Sequence, residues 1–218
     1  MLTQRLAEFA IETKPSDIPG EVMDAARDAL IDTLGVGIVG SLEEVGEIAL
    51  RYVSAMEARR EGSVWGTHVA TTMAEAAFVN GILGHALDFD DVHASVHGHP
   101  STTMIPAALA VGEATGASGE ALLAAYALGL DIAGKLGIAF GSGHYQRGWH
   151  STATAGIFGS TAAAARLLGL DVAQLRHALG LAASQASGLL KNFGTMTKPF
   201  HAGPAAGRAV QSALLARA

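Results

Sequence analysis

An apolar period of helical spacing runs through almost the whole chain and leaves little room for a sheet. Leu2 to Glu12 carries it as a short amphipathic stretch, ended by Pro15. Pro19, whose fixed φ suits a first helical turn, opens a longer stretch to about Gly40. Val22, Ala26, Ala29, Leu30, Thr33 and Leu34 share one face there. Gly35, Gly37 and Gly40 weaken its end, and close helix–helix contact is their expected use. The next stretch, Leu42 to Arg60, has glutamates in its first turns and arginines in its last, the order that complements a helix dipole. Further helices are predicted from a Thr72-x-x-Glu75 capping box to Leu87, from Pro100 to Thr115, and from Ser118 to Phe140. The last three are Ser151 to Leu168, Val172 to Leu190 capped by Asp171, and Ala202 to the end. Only Gly62 to Ala70 has strand character. The sum is one all-α domain over residues 1–218, with about eight or nine helices and no fixed repeat.

Composition narrows the classes of function. Half of the residues are hydrophobic but only 6% are aromatic, so the core must be built from small and medium aliphatics. The formal charge of -6 argues against nucleic acid, whose phosphates need a basic face. The chain has no cysteine, which removes disulfides, thiolate nucleophiles, thiolate-held zinc and cysteine-ligated iron–sulfur clusters. The N-terminus lacks a basic region followed by an apolar run. The longest charge-free run, Val92 to Gly112, holds three histidines and two prolines and does not read as a membrane span. These features point to a soluble, cytoplasmic protein.

Against this apolar background, His85 to Ser101 gathers Asp88, Asp90, Asp91, His85, His93, His97 and His99. Each titratable group costs desolvation energy if buried alone, so such a cluster at a helix end reads as a site. The spacing of His93, His97 and His99 invites a metal reading, but Gly98 and Pro100 undermine the helical register it needs. A proton-transfer site fits better, with an imidazole as acid or base and a carboxylate to fix its tautomer. Two more segments stand out. In RGWHST, His150 directly precedes a helix whose amides attract anions, although a loop histidine without a task reads equally well. In TMTKPFH, Lys198 sits alone among apolar residues before another helix; it is either an anion-binding lysine or a solvated one.

HALDFDD, HPS (99–101), RGWHST, ARLLGLD, ALGLAASQASGL and TKPFHAGPAA follow one another in an order that resembles the MmgE/PrpD family, as does the earlier IDTLG. That family includes 2-methylcitrate dehydratase, cis-aconitate decarboxylase and iminodisuccinate epimerase. The resemblance implies a large helical domain, homodimers, and a site that works without metal or organic cofactor. It implies Asp88, His99, His150 and Lys198 as catalytic residues. His150 and Lys198, with Asp91 and Ser101, would also bind a small di- or tricarboxylate. In that scheme Lys198 and a protonated His150 hold carboxylates while His99, with Asp88, moves the proton. Two departures stand out. Val92 occupies the place of a family threonine, and nothing here corresponds to the α/β lid that supplies a further His and Tyr in relatives. The expected function is a cofactor-independent lyase of the 2-methylcitrate dehydratase kind. The alternatives are a related decarboxylase or epimerase, or a lidless fragment acting as a dimerisation scaffold or as half of a split enzyme. A lid on another chain is among the expected partners; nucleic acid and membrane are not.

Overall fold

Four helices form a ring at the centre of the molecule, and their extensive burial follows from the predominance of Ala, Gly, Ser and Thr along them. The computed structural model describes residues 1–218. The ring consists of α4 (Met73–His85), α5 (Ser101–Thr115), α7 (Ser151–Leu167) and α10 (Ala202–Arg217), each packed on the next. Ala76, Ala77, Ala107, Ala164, Ala165 and Ala206 have no more than traces of exposed surface, so the helix backbones approach closely. A helix apolar all round belongs inside a protein, and α7 meets that description.

The amphipathic helices cover the ring. These are α1 (Leu2–Glu12), α2 (Gly20–Gly40), α3 (Glu44–Ser54), α6 (Gly119–Gln146) and α8 (Val172–Gln185). α6 has the length and apolarity of a membrane span, but here it is a packing helix against α7, with Ile132 and Ala133 fully buried. Arg166 fastens α1 to α7: its guanidinium donates to the carbonyls of Ala10 (2.6 Å) and Thr13 (2.7 Å), groups the end of α1 leaves unpaired.

Several boundaries differ from expectation. α3 stops at Ser54 rather than Arg60, and α8 at Gln185 rather than Leu190. Beyond Gln185 the chain must turn toward α7: Leu190 N–H donates to the Gly148 carbonyl, and His150 N–H to that of Gly188. α6 continues past Phe140 through a kink at Gly141 (φ 61°). The strand character at 62–70 yields a minimal hairpin, Gly62–Ser63 with Ala70–Thr71. Only half of the expected capping box at α4 forms. Thr72 accepts from the Glu75 amide at 3.3 Å, while the Met73 amide is taken by Glu61. Thr197–Phe200, expected as loop, is a single turn, α9. Of the three glycines ending α2, Gly37 and Gly40 pack against Trp65 and Leu83, whereas Gly35 faces open space.

Candidate active site

The ring has polarity. α4 runs toward one end, while α5, α7 and α10 all begin there, so three helix N-termini surround His85, the last residue of α4. Contacts across the ring fix this arrangement. The Thr102 hydroxyl donates to the Gly81 carbonyl at 3.1 Å, the His99 amide donates to the Thr152 hydroxyl at 3.0 Å, and Gly203 packs on Ile82. Aligned dipoles make that end favourable for anions, and at α5 the Asp91 carboxylate already accepts from the Ser101 amide.

The His85–Ser101 segment crosses this end. Its Ser95 carbonyl lies so close to Gly137 on α6 that a Cβ there would collide, which is why the position is glycine. Val96 is fully buried and anchors the segment. Asp88 adopts a left-handed backbone (φ 54°), a strained conformation for a residue with a side chain. Its carboxylate meets the Lys198 ammonium and lies 3.6 Å from His99 Nε2. Burial alone would raise the Asp88 carboxyl, but Lys198, His85 and His99 outweigh it and hold it below the ordinary carboxylate range.

Behind this pair lies a buried dyad. Asp90 accepts through both oxygens from His85 Nδ1, at 2.8 and 3.0 Å, and neither side chain has exposed surface. Asp90 also approaches His99, its carbonyl 3.3 Å and its carboxylate 3.6 Å from Nδ1. The His85 ring lies 4.8 Å from that of His99 and stacks on that of His150 at 5.7 Å. His150 in turn meets His201, Nδ1 to Nδ1 at 3.1 Å, and the edge of Phe193, over which the Lys198 ammonium sits at 5.1 Å. Three segments distant in sequence thus meet in one basin.

Not every expected site residue faces that basin. Ser101 has no exposed surface. Its hydroxyl donates to Asp91 at 2.6 Å and is 2.6 Å from the Tyr126 hydroxyl, while its amide donates to Asp91 at 3.2 Å. The pair therefore caps α5 and holds the loop on the helix ring; the expectation that Ser101 contacts substrate is corrected, because no surface of it is exposed, whereas Asp91 keeps partial exposure. Burial pushes Asp91 up, against the Ser101 hydrogen bonds that favour its ionised form. The protonated His150 expected from the sequence is also corrected. Burial, with His85, His201, Lys198 and His99 adding positive charge, pushes His150 down to about 3. The standing charge belongs to Lys198 and the helix ends.

His93 and His97 span a single turn, the His97 amide donating to the His93 carbonyl at 3.0 Å and the His93 amide to that of Gly98, and His97 at φ 55° ends it, so no helix continues through the pair. Ligand atoms of His85, Asp88, Asp90 and His99 do lie within 4.8 Å of one another, close enough to hold a cation. The Lys198 ammonium already supplies positive charge at Asp88. His85, Asp90 and His201 are the site residues without an individual role in the reading of the sequence. Asp90 was hidden among neighbouring carboxylates, and His201 at the start of a helix carries no spacing signal.

The sequence model of the MmgE/PrpD N-terminal domain matches residues 4–218. The chain belongs to the MmgE/PrpD family. It is 33% identical to human cis-aconitate decarboxylase over 222 residues, covering 99% of this chain and 46% of that protein. Its identity to the mouse cis-aconitate decarboxylase is 31%, over 99% of this chain and 45% of the relative. That to the Aspergillus terreus enzyme is 27%, with the same coverage. The chain spans about half the length of the curated relatives it matches. The all-helical architecture expected for this MmgE/PrpD domain is the one observed.

Proposed function

We propose that the basin is the binding and proton-transfer site of a lyase acting on a small di- or tricarboxylate, with cis-aconitate the first substrate to test. The observation that carries this reading is the Lys198 ammonium seated on Asp88 beside His99, at the end of the ring where three helices begin. A polycarboxylate needs positive charge that does not depend on pH, and Lys198 with the starts of α7 and α10 supplies it. The chemistry such a site favours is formation or protonation of a carbanion conjugated with a carboxylate, because preorganised positive charge stabilises the anion where it develops.

In decarboxylation the bond to one carboxyl carbon breaks and CO2 leaves. The electron pair passes into the conjugated system, and a proton is then added to carbon. In dehydration a C–H proton is taken and hydroxide leaves, protonated. Either way Lys198 holds a carboxylate, and the imidazoles of the cluster, His99 in contact with Asp88 and His150 stacked on His85, are the groups that exchange the proton. The similarity to cis-aconitate decarboxylases favours decarboxylation, and dehydration is the second reading. Incubating the protein with cis-aconitate, and separately with 2-methylcitrate, and following CO2 release and loss of water tests both. Neither product, with no proton exchange from deuterated water, would leave the scaffold reading.

Two partner surfaces belong to the same proposal. Ile31, Ile38 and Leu42, exposed by 63%, 50% and 77%, follow helical spacing along and just beyond α2, a stripe suited to a second copy of the chain. Sedimentation that shows only monomer at tens of micromolar concentration, roughly where modest specific interfaces associate, would remove that part. Phe89 and Val92 stand exposed beside Asp88, and Met196 near Lys198, which suits a covering body such as the family lid. Such a cover would exclude water and strengthen the basin's electrostatics.

A further inference from the structure

Two imidazoles whose Nδ1 atoms lie 3.1 Å apart cannot be in the same protonation pattern. Two bare nitrogens would set lone pair against lone pair, and two N–H groups would set proton against proton. One Nδ1 donates and the other accepts, so the rings are opposite tautomers. Gly188, at φ 135°, lies beside both residues: its carbonyl accepts from the His150 amide at 3.0 Å, and a Cβ there would just touch His150 Cβ and His201 Cγ, each at 3.4 Å. Both side chains are almost wholly buried, His150 at 2% and His201 at 7% exposure, and neither makes another side-chain hydrogen bond.

The surroundings decide the direction. His150 is the ring on the side of the charged cluster: it stacks on His85 and meets Phe193, over which the Lys198 ammonium sits, whereas the one ring that His201 meets is His150. A lone pair turned toward that charge is favoured over an N–H, which would set like against like. We propose that His201 is a positioning residue that accepts the Nδ1 proton of His150 and so leaves the Nε2 lone pair of His150 facing the basin as a base. The inference rests on the polycarboxylate reading for its chemistry, but not for its geometry.

The choice of a neutral partner has a consequence. A carboxylate behind a histidine fixes the tautomer and also stabilises the imidazolium. His201 fixes the tautomer alone. Burial, and then His85, lower His201 itself, so the pair holds no standing charge. His150 therefore stays unprotonated in a site built to collect anions, and takes a proton only when a bound carboxylate brings compensating charge. In that step the C–H proton moves to His150 Nε2, and the electron pair remains on carbon, conjugated with the substrate carboxylate. The Nδ1 proton stays in its bond to His201, and the reverse step returns the proton.

Two-bond proton–nitrogen correlation spectra of the histidine rings read this directly. In the unmodified protein His150 should show a protonated Nδ1 and a bare Nε2, with His201 the reverse. In His201→Phe that signature should disappear. In His201→Asn, whose amide oxygen can accept from Nδ1–H, it should return. Proton exchange into cis-aconitate should lose roughly a hundredfold in kcat in His201→Phe, with KM little changed, and recover most of it in His201→Asn. A protonated Nε2 on His150 in the unmodified protein, or the same His150 signature in His201→Phe, overturns the proposal. Absence of any exchange alongside the expected spectra removes the polycarboxylate reading and leaves the tautomer assignment standing.

Discussion

The Lys198 ammonium rests on the Asp88 carboxylate although the two residues are 110 positions apart. Asp88 comes from the loop after α4 and Lys198 from the single turn before α10, so the ion pair ties together two elements that pack side by side. The pair is only partly shielded, with 55% of the Asp88 side chain exposed, and its value lies in positioning charge more than in stability.

Lys198→Met keeps the length and apolar stem of the side chain and removes its charge. Turnover of cis-aconitate should fall about 10²–10³-fold, the usual loss when one electrostatic partner of a developing anion is deleted. The Asp88 carboxyl should at the same time titrate at higher pH, because its main stabilising partner is gone. Carboxyl-resolved NMR titration checks the second effect without any need for activity. An unmoved Asp88 would show that the ion pair does not persist in solution.

Histidines buried in neutral form make the fold acid-sensitive. His150, ordinarily near 6.5, is pushed to about 3 in the folded chain, and burial moves His201 the same way. Between those limits the unfolded chain binds more protons than the folded one, so stability is full above about 6.5 and falls as pH drops toward about 3. The loss should be on the order of a few kcal/mol across that window. Urea unfolding at a series of pH values measures it, and His150→Gln should flatten the slope. An unchanged slope in that variant would mean His150 is not the neutral buried group described.

Ser101→Ala separates a scaffold role from substrate contact. The substitution leaves the Tyr126 hydroxyl and Asp91 without their buried partner, and burial already pushes the Tyr126 phenol well up. A loss of about 1–3 kcal/mol in unfolding free energy is expected, with KM for cis-aconitate nearly unchanged. A stable variant with a much weakened KM would return Ser101 to the binding surface.

How far these features were legible in the sequence depends on their range. Helix identity was readable because α1 and α3 carry a one-sided apolar period, α4, α5 and α7 are long Ala-rich runs bounded by Thr72, Pro100 and His150, and Asp171 caps α8 through the Gln174 amide as its spacing implies. The segments carrying Asp88, His99, His150 and Lys198 were readable because each is polar in an apolar chain. The α8 terminus was not, since Ala186 to Leu190 keeps an apolar composition while its backbone pairs with 148–150. The burial of Ser101 and the neutral state of His150 depend on neighbours such as Tyr126 and His201, which no local pattern predicts.

Val92 stands where the family resemblance places a threonine, next to Asp91 and 73% exposed beside the basin. Because it is so exposed, Val92→Thr should leave stability within about 0.5 kcal/mol. If a polycarboxylate lies against the 88–92 loop, the added hydroxyl can donate to it, and one hydrogen bond to a charged carboxylate is worth about tenfold or more in KM. Val92→Asp should act in the opposite sense by setting a like charge beside the bound anion. Measuring KM for cis-aconitate in both variants, with urea unfolding as the control, decides the matter. Equal KM values in the two would place the loop outside the binding surface, and Lys198 with the helix ends would then carry recognition alone.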